Sequence, residues 1–403
     1  MDSIFNSTTE NIRQLDQART EKAMARLEKL DDFVSHYTKS FIGYPCNKSF
    51  NLDQLFHFWQ TSCLSKSPLN EVGNPLGESS YDLNTREFER EVLEIFSGLF
   101  HLPFPECWGY ITSGGTQGNE QGLYMGRESL KAYGTPILYV SKEAHYSIHS
   151  IGRILDIEMR IIPSQPNGEM DYDALEAAID PSRPALFSLS IGTTFKGAID
   201  RIEVVDALVR RLNVPAVHYH ADGALFGGYL AYADDPYAPK IDFSKYPFHT
   251  VAVSGHKFFG APIPMGVFLC RKELLNSLKG EYIEYIDTQN VTIPCSRSSL
   301  NTLILWWTML TTARETFVEE AQLILENAAY LHRRLRELGY RSWLNLYSNT
   351  VYFECPNQEV CKKWCLAKMT CPHYGPLAHV VVMQHVTREV IDRFINDLFS
   401  KKG

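Results

Sequence analysis

No apolar run in this chain is long enough to cross a bilayer. The most apolar window, Leu300 to Leu310, has only the length of a buried helix. Internal repeats and low-complexity linkers are also missing, so a stacked-repeat architecture is not expected. Basic clusters are scarce. The densest, Arg333, Arg334 and Arg336, lies in a helix-like segment and reads as a solvated face, and the net charge is −8. Nucleic acid is therefore a disfavoured partner. Met1 to Lys29 is charged and helix-like, without the apolar stretch and cleavage site of a secretory signal. The nine cysteines are odd in number and irregularly spaced. No disulfide framework is legible in them, and free thiols in a reducing, cytoplasmic compartment are expected. Cys361 and Cys365 sit one helical turn apart, followed by Cys371 and His373. That spacing fits no strong zinc pattern, and Trp364 and Leu366 mark a core-packed helix, so buried thiols and a loop are expected rather than a metal.

What is present is apolar mass and alternating periodicity. With 403 residues, 44% of them hydrophobic, the chain can bury a large core and a smaller lobe. Residues 1–70 read as an N-terminal helical arm, 71–300 as a large domain and 301–403 as a small α+β domain. Phe88, Val92, Phe96 and Phe100 recur at helical spacing. Strands are expected at Trp108 to Thr112, Pro136 to Val140, Ala185 to Leu189, Ala216 to His220, Thr250 to Ser254 and Gly266 to Cys270. Helices are expected at Asn119 to Tyr133, from about Tyr146, and at Val204 to Leu212. This alternation implies a mainly parallel sheet covered on both faces. Beyond residue 300 the pattern gives a long helix (Glu315 to Leu338), a strand at Thr350 to Glu354, a helix, a long loop at Lys368 to Pro376, a strand at His379 to Met383 and a final helix.

In open α/β sheets, ligands bind at the carboxyl ends of the strands. Three polar groups fall there. Ser113-Gly114-Gly115-Thr116-Gln117-Gly118-Asn119 follows a strand and opens a helix. Its glycines permit close backbone approach, and the helix N-terminus offers free N–H groups suited to a phosphate, although a plain glycine turn would look similar. His218, His220 and Asp222 share one face of a strand, with Gly223 and Ala224 beyond. A zinc hydrolase would use such a set but would usually continue with a further histidine. A buried Asp222 would alternatively keep a pyridine nitrogen protonated, with Ala224 leaving room for a flat ring. Lys257 ends a third strand, in Ser254-Gly255-His256-Lys257, amid apolar and small neighbours. A buried lysine has a lowered pKa and acts as a nucleophilic amine. Phosphate cradle, carboxylate and amine together fit pyridoxal 5′-phosphate (PLP).

At Ser254-Gly255-His256-Lys257 the chain resembles the group II PLP-dependent decarboxylases, in particular bacterial histidine decarboxylases and plant serine decarboxylases. Leu83-Asn84-Thr85, Trp108-Gly109-Tyr110, Gly114-Gly115-Thr116, His145-Tyr146-Ser147, Gly192-Thr193-Thr194, Ser296-Arg297 and His385-Val386-Thr387 extend the match in the family's order. The resemblance implies a fold-type I, aspartate aminotransferase-like fold, a homodimer, and decarboxylation of an L-amino acid. Oxidative deamination to an aldehyde on the same scaffold is the competing outcome. By position, Lys257 is expected to hold the cofactor as an imine, His145 to stack on its ring and Asp222 to pair with its ring nitrogen. Ala224 should pack on the other face, and Gly115, Thr116, Ser254 and His256 should hold the phosphate. Thr194 is expected at the ring oxygen, and Tyr285 as the proton donor to the reacting carbon. Tyr282 competes for that role, and simple interface packing is the other reading of either tyrosine. Tyr44, Asn47 and Tyr81 are expected near the substrate. Ser113, Gln117 and the segment Cys295 to Ser299 depart from the usual residues, so the resemblance leaves the substrate open.

Overall fold

The computed structural model describes residues 2–78, 80–278 and 280–400, with side chains from Asp16 onward. Its centre is a seven-stranded sheet: β1 (Cys107–Thr112), β2 (Ile137–Ser141), β3 (Glu158–Ile162), β4 (Ala185–Ser190), β5 (Val217–Asp222), β6 (Thr250–Ser254) and β7 (Gly266–Arg271). The spatial order is β1-β7-β6-β5-β4-β2-β3. Only β7 runs against the rest, pairing antiparallel with β1 and β6. β1, β2, β4 and β6 are buried along their whole length, as near-continuous apolar runs require in a sheet covered on both faces.

The six strands expected for this sheet are all present, within a residue or two of the expected ends. β3 was not legible in the sequence. It is an edge strand, Glu158-Met159-Arg160-Ile161-Ile162, buried only at its last residue. Its charges protect the edge and erase the apolar signal.

Helix α1 (Asp2–Tyr37) is exposed throughout its described side chains, Asp16 to Tyr37. Helix α2 (Arg86–Leu99) buries Val92, Leu93 and Phe96. Helix α3 (Gly115–Leu130) follows β1 and lies across β5, β6 and β7. It starts four residues earlier than the apolar periodicity indicated, because its first turn is the glycine segment itself. Gly118 packs so closely that an added Cβ would sit 2.7 Å from the Cβ of Ala252. Helix α4 (Tyr146–Ile154) follows β2, and α5 (Ile202–Arg211) follows β4. Helix α6 (Ser299–Thr311) lies on α2, with Phe88 and Trp306 edge to face at 4.8 Å.

After α7 (Arg314–Glu337) comes a second, antiparallel sheet: β8 (Ser342–Leu344), β9 (Thr350–Glu354), β10 (Ala367–Cys371) and β11 (Gly375–Val381), in the order β8-β9-β11-β10. Helix α8 (Arg388–Ser400) closes the chain. Here two expectations are corrected. Lys368 to Pro376 is not a loop but most of the β10–β11 hairpin. Alternate residues of β10 face solvent, so no apolar run marked it. The helix carrying Cys361 ends at Lys363, and Cys365 lies beyond it at φ +53°. Cys361 instead faces Cys355, Sγ to Sγ 3.8 Å. All nine cysteines are free thiols.

The small sheet is tied to the large one at the site. His379 of β11 stacks on Phe195 at 4.4 Å and donates from Nδ1 to the Phe195 carbonyl at 2.8 Å.

Candidate active site

The carboxyl ends of β1, β2, β4, β5 and β6 converge on one place. Ser113 follows the end of β1, and Gly114 then takes φ +137°, a backbone conformation that side-chain-bearing residues rarely adopt. This turn aims the first N–H groups of α3 into a cavity of about 430 Å³. Gly115 is needed for a different reason: a Cβ there would lie 2.5 Å from Ser254 Oγ. The cavity is lined by Gly114, Gly115, Thr116, His145, Asp222, Ala224, Ser254, His256 and Lys257 among others. Gln117 turns back, its Oε1 accepting from the Ser113 N–H at 2.9 Å.

Lys257 stands at the end of β6, on a single π-type turn from His256 to Gly260. Such turns are frequent at functional sites. The backbone of this turn is clamped from outside: Asn47 donates its N–H to the Lys257 carbonyl at 3.3 Å and its Nδ2 to the Phe258 carbonyl at 2.8 Å. Gln384 adds a second donor to Phe258 at 2.9 Å. Burial pulls the Lys257 amine below the ordinary lysine range, against the opposing pull of Asp222 and Cys46.

Asp222, the last residue of β5, is buried. It accepts from Asn119 Nδ2 at 3.1 Å and from the Ala224 N–H at 3.3 Å. His145 caps α4, its Nδ1 accepting from the Ser147 N–H at 3.3 Å with the Ser147 hydroxyl at 2.7 Å. The other ring nitrogen therefore carries the proton. Burial, chiefly, lowers the His145 pKa, so the ring is neutral near pH 7.

Thr194 lines a narrower adjoining cleft that shares Lys257, His145, Asp222 and Ala224 with this cavity and also touches Pro45. A buried ion pair between Lys196 and Glu143, at 2.8 Å, joins the loop of Thr194 to the loop of His145. Removing one partner of such a pair costs roughly 3–5 kcal/mol, because the other charge stays buried alone. Sequence reading missed this pair, since no spacing relates two residues from loops so far apart.

Other expected residues stand elsewhere. Tyr285 and Tyr282 lie on the Glu281–Ile283/Thr288–Asn290 hairpin, 85% and 62% exposed, and neither lines the cavity. The Tyr282 hydroxyl donates to Asp287. Tyr44 stacks on Phe41 at 5.3 Å, and the Tyr81 hydroxyl donates to the Pro68 carbonyl at 2.8 Å. Asn47 faces the Lys257–Phe258 backbone rather than the cavity. Arg297 is buried, paired with Glu89 at 3.0 Å, while Glu89 Oε1 accepts from the Ile111 N–H of β1 at 2.8 Å. It braces the strand that carries the glycine turn.

The residues present fit PLP. A glycine-lined helix N-terminus suits a phosphate, a buried carboxylate suits a protonated ring nitrogen, and a buried amine suits an aldehyde carbon.

The pyridoxal-dependent decarboxylase conserved domain matches residues 121–345. Serine decarboxylase 1 of Oryza sativa subsp. japonica is 38% identical over 373 residues, covering 91% of this chain and 73% of that protein. Histidine decarboxylase of Morganella morganii is 36% identical over 385 residues, covering 92% and 96%. Among solved structures, L-methionine decarboxylase from Streptomyces sp. 590 superposes with a TM-score of 0.83 at 24% identity, covering 94% of each chain. Lactobacillus brevis glutamate decarboxylase gives 0.76 at 17%, covering 95% of this chain and 91% of that one. These two likenesses establish the fold-type I architecture.

Proposed function

This chain belongs to the pyridoxal-dependent decarboxylase family and is a PLP-dependent amino-acid decarboxylase; we propose that its substrate is a histidine- or serine-like L-amino acid, a non-standard one included, released as the corresponding amine. The observation that carries the reading is the meeting of Lys257, Asp222 and the Gly114–Thr116 helix N-terminus around one cavity.

When bound, PLP supplies an electron sink for the carbon that loses carbon dioxide. The protein's residues do the rest. Lys257 binds the cofactor covalently through an amine whose lowered pKa makes it nucleophilic. Gly115, Thr116, Ser254 and His256 hold the phosphate. Asp222, fixed by Asn119 and the Ala224 N–H, keeps the proton on the ring nitrogen. His145, neutral and held by Ser147, would pack on one face of the ring, with Ala224 on the other. Thr194, lining the adjoining cleft, would serve the ring oxygen. This fixed electrostatic environment, more than proton transfer, supplies the acceleration.

The functional unit is proposed to be a cytoplasmic homodimer. Met24, Leu27, Leu30, Phe33 and Tyr37 of α1 are all exposed and lie at helical spacing, an apolar face suited to a second copy. In that assembly Tyr285 of one protomer would serve the site of its partner as proton donor.

The test is to incubate the PLP-loaded protein with standard and non-standard amino acids and identify products by mass spectrometry while recording oxygen uptake. One amine without oxygen uptake is the expected result. An aldehyde with hydrogen peroxide would replace the reading with oxidative deamination.

A further inference from the structure

The two histidines that precede Asp222 on β5 have no part in the chemistry above, yet both are buried beneath α3. Gly122 and Gly126 make room for them. A Cβ on Gly122 would lie 2.3 Å from His220 Nδ1, and one on Gly126 would lie 2.9 Å from His218 Cδ2.

The hydrogen bonds here admit one direction only. Asp222 accepts, so the Asn119 amide must present its nitrogen to Asp222 Oδ2, at 3.1 Å, and its oxygen to His220. His220 Nε2 therefore carries a proton and donates to Asn119 Oδ1 at 2.9 Å. Burial pushes the His220 pKa down to about 4, so the ring is neutral and Nδ1 must accept. Its donor is the Thr250 hydroxyl at 2.9 Å. Thr250 Oγ1 in turn accepts from His218 Nε2 at 3.1 Å, and Ser129 Oγ stands 3.5 Å from His218 Nδ1 at the far end. From His218 through Thr250, His220 and Asn119 each donor points toward Asp222, while the Ser129 hydroxyl donates to the Gly126 carbonyl at 3.0 Å. His220 and Thr250 are 0% exposed, so bulk water cannot replace these bonds. Aligned donors in a low-dielectric interior polarise one another, and the last of them acts on the carboxylate more strongly than it would alone. The titratable neighbours are His145 and Lys257 beside Asp222, and His249 stacked on His218 at 4.8 Å.

We propose that His220 is a positioning residue for the decarboxylase: acting through Asn119, and backed by Thr250 and His218, it orients Asp222 and sustains its negative charge toward the ring nitrogen of bound PLP. The inference rests on the reading that Asp222 pairs with that nitrogen.

The experiment uses holoenzyme carrying PLP isotopically labelled at the ring nitrogen. The nitrogen chemical shift is followed by NMR through a pH titration without substrate. The parent protein should keep this nitrogen protonated through the neutral range. In His220→Leu the titration midpoint should fall by about one unit, a tenfold loss of protonated form. Thr250→Val, which removes one donor at nearly constant volume, should shift it in the same direction by less. His220→Gln, whose amide donates to Asn119 and accepts from Thr250, should restore the parent midpoint. Should His220→Leu not fold, Thr250→Val decides alone. An unchanged midpoint in the folded variants would overturn the proposal while leaving the Asp222 reading intact. An unprotonated ring nitrogen in the parent would overturn both.

Discussion

At Lys257, burial and charge pull in opposite directions. Burial disfavours the ammonium, while Asp222 and Cys46 favour it, and the net pKa lies below the usual lysine value. A surface lysine would keep its charge and its hydration. This one gives up its proton more readily, and the free amine is the form that attacks a carbonyl carbon. Lys257→Ala is therefore expected to abolish amine production. The fold should survive, because the turn around residue 257 is held by its backbone bonds to Asn47 and by the Phe258 contacts, not by the amine. Product assay and circular dichroism check the two halves of this prediction, and turnover near the parent rate would refute it. Asp222 was legible as a candidate from its strand end and small neighbours, and His145 only through the family resemblance. The donor set that fixes them was not, since Asn119 and Asp222 are 103 positions apart.

At the level of elements, α3 shows how one helix serves two purposes. Its N-terminus faces the cavity, and its underside must approach the sheet. Gly118, Gly122 and Gly126, spaced four apart, form a flat strip on that underside, against Ala252, His220 and His218. Their helix-weakening effect, about 1 kcal/mol each relative to alanine, is accepted because no Cβ fits. Gly122→Ala should therefore lower stability by roughly 1–3 kcal/mol through overpacking, despite its gain in propensity. Gly98, near the end of α2, has nothing within 4 Å of an added Cβ. Gly98→Ala should raise stability by up to about 1 kcal/mol. Thermal midpoints of the two variants should move in opposite directions. If both rise, the close approach under α3 does not matter energetically.

For the whole molecule, buried histidines set the response to acid. Burial pushes His220, His249 and His385 down to about 4 from the ordinary 6.5. Between those values the unfolded chain binds protons that the folded protein does not. The stability they contribute is complete above about pH 6.5 and is lost as pH falls toward 4. Asp200 acts with the opposite sign. Burial pushes it up to about 7, so the folded form holds the extra proton, and its share of stability declines as pH rises from 3.8 to 7. Burial lowers His145, His149, His218, His256, His332 and His379 in the same direction and raises Glu89, Glu120 and Glu320 like Asp200, so the histidines outnumber the carboxylates and the net is a loss in acid. Denaturant midpoints measured across this range should fall as pH falls. His249→Asn, whose Oδ1 replaces the ring nitrogen that accepts from the Tyr219 N–H at 3.0 Å, should flatten that slope. An unchanged slope would assign the acid response to other groups.

The sequence by itself determined the alternation of buried strands and helices, because a fully covered parallel sheet writes itself as short apolar runs between amphipathic segments. It also marked Lys257, Asp222 and the Gly114–Thr116 turn, each a polar or glycine signal next to such a run. It could not mark β3 or β10, whose exposed residues carry no apolar pattern. Only the tertiary structure decided that Glu143 pairs with Lys196 and that Asn47 grips the lysine turn. It alone also decided that Asn119, His220, Thr250 and His218 stand in one line behind Asp222. Those relations depend on the order in which strands lie side by side, and strand order is set by packing between distant segments rather than by any local periodicity.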